Sequence, residues 1–197
     1  MTALAVAYLV GAIPVGFFVA RAFGIGDIRR HGSGNIGMTN VLRTAGKMPA
    51  ILTLVGDVAK GMLAVWLGAW VTGVAVTDVP AVAIAAVIGN CWSVFLRFRG
   101  GKGVATGLGA LLMVVPLALV PSAIVFLVVV ATTRYVSLGC LLGAIGVPVV
   151  ALVLRYPLGS VITAAGVALI IVGRHHQNIT RLLSGTEHRV GRRVAAS

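Results

Sequence analysis

The side chains of this 197-residue chain that could do chemistry fall in three polar segments. The first is Gly32-Ser33-Gly34-Asn35-Ile36-Gly37-Met38-Thr39-Asn40-Val41-Leu42-Arg43-Thr44. Glycines let backbone N–H groups come close to an anion, and Ser33, Asn35, Thr39, Asn40 and Arg43 add donors. That set suits a phosphate or an acyl-phosphate, although an ordinary solvated loop has the same composition. The run also matches G-x-G-x-x-G, but that fingerprint binds dinucleotides only inside a βαβ unit, and flanking membrane helices leave no strand for it. The second segment, Arg97-Phe98-Arg99-Gly100-Gly101-Lys102-Gly103-Val104-Ala105-Thr106-Gly107, is a glycine loop that opens a helix. Such a helix N-terminus attracts anions and Lys102 adds a mobile charge; the plain alternative is a basic anchor at the membrane surface. It is not a Walker A loop, because Leu96 and Gly103 stand where that motif needs Gly and Ser or Thr.

The third segment runs from Arg174 to Glu187 and continues an apolar helix. On a helix His175, Asn178 and Leu182 share one face while His176 points about 100° away. Two adjacent helical histidines cannot easily chelate one metal, so a zinc reading is poor. Asp57 and Lys60 lie three residues apart within an apolar stretch. Charges at that depth are expected to pair as structural support rather than to touch substrate. The four acids, Asp27, Asp57, Asp78 and Glu187, are too scattered for a catalytic carboxylate pair. Cys91 and Cys140 suggest neither a disulfide framework nor a metal site.

What must position these residues is a bundle of membrane helices. The chain is 59% hydrophobic and 10% charged, against roughly 25% charged in a soluble domain. With a mean hydropathy of +1.06, this excludes a soluble globular protein and removes the nucleic-acid reading that a net charge of +12 would otherwise invite. Residues 1–20, 49–96 and 104–173 contain only Asp57, Lys60, Asp78, Arg134 and Arg155 as charged residues. At about 20 residues per span they predict an all-α, polytopic integral membrane protein of about seven transmembrane helices. The first stretch is expected to be a retained span rather than a signal peptide, because no Lys or Arg precedes it and Arg21 sits inside the would-be cleavage site.

The positive-inside rule predicts one membrane-embedded domain over 1–197, with cytoplasmic loops at about 24–48 and 97–103 and a cytoplasmic tail at about 174–197. An even number of crossings must then follow Gly103, so Pro116 and Pro121 are expected to split 104–131 into two helices of about 12 residues each. Arg134 then lies inside, with Arg155 and Asp78 outside.

The runs Gly32–Thr44, Val94–Thr106 and Arg174–Glu187, in this order and with Asp57–Gly61 between the first two, resemble the acyl-phosphate:glycerol-3-phosphate acyltransferase family, PlsY. The resemblance covers nearly the whole chain. It implies transfer of an acyl group from acyl-phosphate to the 1-hydroxyl of sn-glycerol 3-phosphate, giving lysophosphatidic acid in phospholipid biosynthesis. The implied place is the cytoplasmic face of a bacterial plasma membrane, with the lipid bilayer and the two substrates as partners. No cofactor, metal, nucleic acid or obligatory protein partner is implied. Ser33, Arg43, Lys102, His175 and Asn178 are implied as catalytic. Gly32, Gly34, Asn35, Thr39 and Asn40, with Gly100, Gly101, Gly103 and Thr106, are implied as substrate- or phosphate-binding, and Glu187 as structural support. The chain departs from the family pattern at Gly89-Asn90-Cys91-Trp92-Ser93, where Gly-His, an aromatic and Pro are usual, and at Met38, where a small residue is usual.

The residues agree with that chemistry. An acyl-phosphate is already activated, so a protein need only position two anions and neutralise their charge, which cations, hydroxyls and amides can do without a carboxylate base. No Ser-His-Asp arrangement is evident, so direct attack of the glycerol hydroxyl is expected, its proton passing to His175 or to the donor phosphate. An acyltransferase of the His-x-x-x-x-Asp type is excluded, because Ile36, Thr180, Arg181 and Arg193 lie five residues after the four histidines. The alternatives are a transporter or channel for small organic anions and a catalytically silent family member. A transporter should carry repeats, and neither Ser33–Arg43 nor Gly100–Gly103 has a second copy.

Overall fold

The computed structural model describes residues 1–75 and 80–190, so Asp78, Arg192 and Arg193 lie outside the described residues. Among the described residues ten α-helices run α1 Thr2–Ala12, α2 Val15–Ala22, α3 Met38–Ala45, α4 Lys47–Thr72, α5 Pro80–Cys91, α6 Val104–Val114, α7 Pro116–Thr133, α8 Val136–Val153, α9 Leu158–Arg174 and α10 His176–Leu183. Short 3-10 turns occupy Ile28–Arg30 and Val94–Leu96, and no strand occurs among the described residues.

Among the described residues four stretches are long and apolar enough to cross a membrane: α1 with α2 as Thr2–Ala22, α4, α7 and α8; α9 with α10 makes a fifth if the bent pair is one span. Pro80–Leu96 and α6, with 11 residues, are shorter apolar segments. The all-α membrane architecture is the expected one, and four to five of its helices, against about seven predicted, have the length and hydropathy of a span. Large apolar side chains stay exposed along the outer faces, among them Trp70 of α4, Leu127 of α7 and Leu169 of α9, as lipid contact requires.

Proline sets the breaks. Pro14 separates α1 from α2, since it has no N–H to donate and its ring crowds the preceding turn. Pro116 opens α7 and divides 104–131 where the sequence predicted a turn. The equal split into helices of about 12 residues does not hold: α6 has 11 residues, but α7 runs for 18 and takes Pro121 inside it. Pro121 falls close to the start of α7, where a missing N–H removes only one ladder bond.

Glycines bring the inner helices together. Gly11 of α1 lies on the Ala86 carbonyl of α5, and Gly89 of α5 lies on the Tyr8 carbonyl of α1. The same reciprocal contact joins α4 and α6 through Gly61 on the Thr106 carbonyl and Gly109 on the Val58 carbonyl. Helices in lipid gain their association from such close packing, because lipid offers no hydrophobic drive to bring them together. A Cβ at any of the four would collide with backbone oxygen, so the depth of α5 and α6 relative to α1 and α4 is fixed. That registration sets the position of the loop between α5 and α6, which carries Lys102.

Candidate active site

The three polar segments meet on one cavity of about 1390 Å³. Ser33, Arg43, Lys102, His175 and Asn178 all line it, as do Gly32, Gly34, Asn35, Thr39, Asn40, Gly100, Gly101, Gly103, Thr106, Asp57 and Glu187. Residues as far apart in sequence as Gly32 and Glu187 are thus brought together. The cavity does not end at the polar segments: Leu119 and Phe126 of α7 and Ala144 and Val147 of α8 also line it. It therefore has a cationic end and an apolar extension between helices.

The loop before α3 is held by its own side chains. Asp27 caps the first 3-10 turn through the Arg29 N–H (3.0 Å) and pairs with the Arg29 guanidinium (2.9 and 2.8 Å). That hydrogen-bonded partner keeps the Asp27 carboxyl down at about 2. Arg29 also stacks on the Phe17 ring of α2 at 5.5 Å. Asn40 reaches back from α3: its Oδ1 accepts the Ser33 N–H (2.8 Å), and its Nδ2 donates to the carbonyls of His31 (3.0 Å) and Asn35 (2.8 Å). Expected as a donor to phosphate, Asn40 is buried and spends its amide on this backbone. Gly32 sits at φ +58°, directly over Asn40 Oδ1, where a side chain would be both strained and blocked. Asn35 likewise accepts the Gly37 N–H at 2.8 Å. Among the described residues, the Ser33, Thr39 and Arg43 side chains and the Asn35 Nδ2 of this segment remain for a ligand.

The second loop hangs from the end of α5. Gly100 N–H donates to the Cys91 carbonyl (3.2 Å) and Gly101 N–H to the Asn90 carbonyl (2.9 Å). These two amides, expected to meet an anion, are therefore occupied. Arg174 at the end of α9 takes the other side of the loop: its Nε donates to the Gly101 carbonyl (3.2 Å), and its guanidinium lies 5.2 Å from the Trp92 ring. What is left for an anion is the first turn of α6, whose N–H groups have no intrahelical partner, with the Lys102 ammonium beside it. Thr106 in that turn has a buried hydroxyl with no hydrogen-bond partner among the described residues.

A charged chain of contacts closes the site. Lys102 Nζ donates to Asn178 Oδ1 (2.6 Å), and Asn178 Nδ2 donates to Glu187 Oε1 (2.6 Å). Glu187 also accepts from Ser137 of α8 (2.7 Å) and from Arg181 (2.7 Å). Burial pushes the Glu187 carboxyl up, but the three donors outweigh it and hold it below its ordinary value. Burial lowers the Lys102 ammonium from its ordinary value. An incoming phosphate would restore a partner to that desolvated charge.

His175 stands at the break between α9 and α10, where the chain bends by 61°. The uninterrupted helix expected through this segment is not formed, and Arg181 rather than Leu182 joins His175 and Asn178 on the cavity. His175 Nδ1 is 2.7 Å from the Ile171 carbonyl. A carbonyl only accepts, which assigns the proton to Nδ1 and leaves Nε2 with its lone pair. Burial pulls the imidazole down to about 4, so the ring is neutral at physiological pH.

Asp57 and Lys60 form the expected ion pair, at 2.7 Å and buried. Lys60 also reaches Asn90, the residue that departs from the family pattern. Ser137, Asn90, Arg174 and Arg181 make contacts in the site for which the sequence assigns them no role. Ser137 and Asn90 are isolated polar residues in apolar helices, a pattern that marks an inward-facing position. Arg174 and Arg181 belong to the third segment, where composition does not tell a site contact from a basic anchor.

The family profile described as glycerol-3-phosphate acyltransferase matches residues 1–185. A glycerol-3-phosphate acyltransferase of Geobacter sulfurreducens is 50% identical over 186 residues, covering 94% of each chain. One of Syntrophotalea carbinolica is 47% identical over 94% of this chain and 95% of its own, and one of Thermus thermophilus is 47% identical over 98% and 96%. The fold matches a crystal structure of PlsY, an integral membrane glycerol 3-phosphate acyltransferase, in its glycerol 3-phosphate form, with a TM-score of 0.89 and 36% identity over 96% of this chain and 94% of that one. The lysophosphatidic acid form of PlsY matches with a TM-score of 0.87, 35% identity and the same coverage. With its polar segments gathered on one cavity and its full length matched by sequence and by fold, the chain belongs to the glycerol-3-phosphate acyltransferase family of membrane enzymes, the PlsY family.

Proposed function

We propose that this enzyme takes the acyl group of an acyl-phosphate and transfers it to the 1-hydroxyl of sn-glycerol 3-phosphate, releasing inorganic phosphate and 1-acyl-sn-glycerol 3-phosphate. The observation that carries the reading is the two-part cavity. Ser33, Arg43 and Lys102 line its polar end, and Leu119, Phe126 and Val147 line its apolar extension. An acyl-phosphate has the same two parts, a dianionic head and a hydrocarbon chain, and glycerol 3-phosphate needs only the polar end.

In the reaction the glycerol oxygen forms a bond to the acyl carbonyl carbon as the carbon–oxygen bond to phosphate breaks. The hydroxyl proton passes to His175 Nε2 or to the departing phosphate. Arg43, Lys102 and the first turn of α6 hold the phosphate charge, Ser33 orients the reacting groups, and Asn178 with Glu187 steadies Lys102. Binding and charge neutralisation supply the rate, because the donor is already activated. No protein nucleophile takes part.

The chain acts as one membrane-embedded domain over 1–197, and the basic loops at about 24–48 and 97–103 and the tail from about 174 face the cytoplasm, by the positive-inside rule. The membrane is the plasma membrane of a bacterium, and no cofactor, nucleic acid or protein partner is needed. Purified protein in detergent, given palmitoyl-phosphate and glycerol 3-phosphate, is expected to make lysophosphatidic acid. No product under conditions where a Geobacter or Thermus relative turns over would overturn the reading.

A further inference from the structure

A lysine ammonium has three protons to donate, and an ion pair uses one of them. Lys60, 5% exposed, is ion-paired with Asp57 Oδ1 at 2.7 Å and donates to the Ile13 carbonyl at 2.7 Å and to Asn90 Oδ1 at 2.9 Å. The Ile13 carbonyl lies at the break that Pro14 makes between α1 and α2. Asn90 is in the last turn of α5 and is the residue on which the glycine loop rests. Its carbonyl accepts the Gly101 N–H at 2.9 Å, and its amide nitrogen is packed so closely that a Cβ at Gly101 would sit 2.9 Å from it. Gly100 in turn lies flat against the Asn90 carbonyl oxygen. The residue that follows Gly101 is Lys102.

We propose that Lys60, charge-balanced by Asp57, is a positioning residue for acyl transfer. It fixes the Asn90 amide against Gly101 and thereby sets where the Lys102 ammonium stands in the cavity. The inference rests on the acyl-transfer reading above. It differs from a purely structural ion pair in what it requires of Asn90. A structural pair needs only that the two charges cancel, whereas positioning needs Asn90 to present an acceptor to Lys60. The bundle is also held by the reciprocal glycine contacts of α1 with α5 and of α4 with α6, which do not involve Lys60.

The test uses the full-length protein in detergent and measures KM and kcat for both substrates. Asp57→Asn combined with Lys60→Met removes both charges and leaves neither unpaired. This double variant is expected to raise about tenfold the KM for whichever phosphate substrate Lys102→Ala affects, with kcat changed by less than about threefold. Added to Lys102→Ala, it should raise that KM by no more than about twofold further, because both act through one ammonium. An unchanged KM in the double variant, or full multiplication of the two effects, would overturn the proposal. Should the double variant not fold, Asn90→His and Asn90→Leu carry the test. The histidine keeps an acceptor for Lys60 and should stay near the wild-type KM, whereas the leucine should raise it about tenfold. Equal KM values for these two would be contrary. If the wild type makes no lysophosphatidic acid, the acyl-transfer reading itself falls. Calorimetric affinity for glycerol 3-phosphate then decides the positioning claim, which still requires about a tenfold loss in the same variants.

Discussion

Replacing Lys102 with alanine is expected to lower kcat/KM by roughly 100- to 1,000-fold, with a raised KM for at least one phosphate substrate. That corresponds to about 3 to 4 kcal/mol, the usual effect of removing one preorganised donor from a water-poor site. The structure explains why the effect should be large. The Lys102 ammonium is already desolvated, and its one hydrogen-bond partner among the described residues is the neutral Asn178 oxygen at 2.6 Å. Its charge is therefore poorly compensated until a phosphate arrives. Arginine at 102 should not restore activity, because a planar fork cannot take the place of a compact ammonium between α6 and Asn178. Steady-state kinetics on the purified variants checks both statements. A Lys102→Ala enzyme with the wild-type KM for both substrates would remove Lys102 from the site.

Asn178→Asp should be as damaging although it changes a single atom. The Asn178 oxygen that receives Lys102 would be kept, but the nitrogen that donates to Glu187 at 2.6 Å becomes an oxygen facing a carboxylate. Two partly buried carboxylates at that distance repel or must share a proton, and either outcome moves Lys102. A loss of at least about 100-fold in kcat/KM at pH 7.5 is expected, on the scale of a broken buried contact. Combining it with Glu187→Gln turns the contact round, so that the new amide donates to the new carboxylate. The pair should recover at least about tenfold over Asn178→Asp alone. If Asn178→Asp is as active as the wild type, the Lys102–Asn178–Glu187 chain does not support catalysis. If the double variant shows no recovery, the repulsion argument is wrong.

The fold and much of the site could be read in advance, for physical reasons that differ from residue to residue. Pro14 and Pro116 act locally, so the breaks they cause follow from sequence. Pro121 shows where this stops, since a proline near a helix start is absorbed, and the rest of α7 could extend to 18 residues. Composition identified the polar segments but not the direction in which each donor points. Asn40 has the right chemistry for a phosphate and uses it on Ser33, His31 and Asn35 instead. Gly100 and Gly101 have amides suited to an anion, but α5 carbonyls take them first. Both outcomes follow from the rule that buried backbone groups must be paired, yet which partner satisfies them is decided by tertiary contact.

Long-range contacts were the least legible. Lys60 and Asp57 share a helix face, so their pairing was expected, but Asn90 lies 30 residues away on another helix. Nothing local marks it as the third partner. The bend at His175 is similar: no proline stands there, and the chain turns because the His175 ring is tied back to Ile171 while α10 carries Asn178 and Arg181 toward Glu187. The resemblance to a known family implied roles for His175 and Asn178, and the structure shows what each side chain has to offer. One is a neutral ring with a lone pair, and the other is a bridge between a cation and an anion.

In the proposed reaction the acyl group passes directly from phosphate to glycerol 3-phosphate, with no acyl-enzyme. Isotope exchange tests it most directly. The wild-type protein is incubated with palmitoyl-phosphate and labelled inorganic phosphate in the absence of glycerol 3-phosphate, and label entering palmitoyl-phosphate is measured. Direct transfer predicts no exchange until glycerol 3-phosphate is added, and then formation of lysophosphatidic acid. Rapid exchange without the acceptor would mean that a protein group such as Ser33 carries the acyl chain, and would contradict the account.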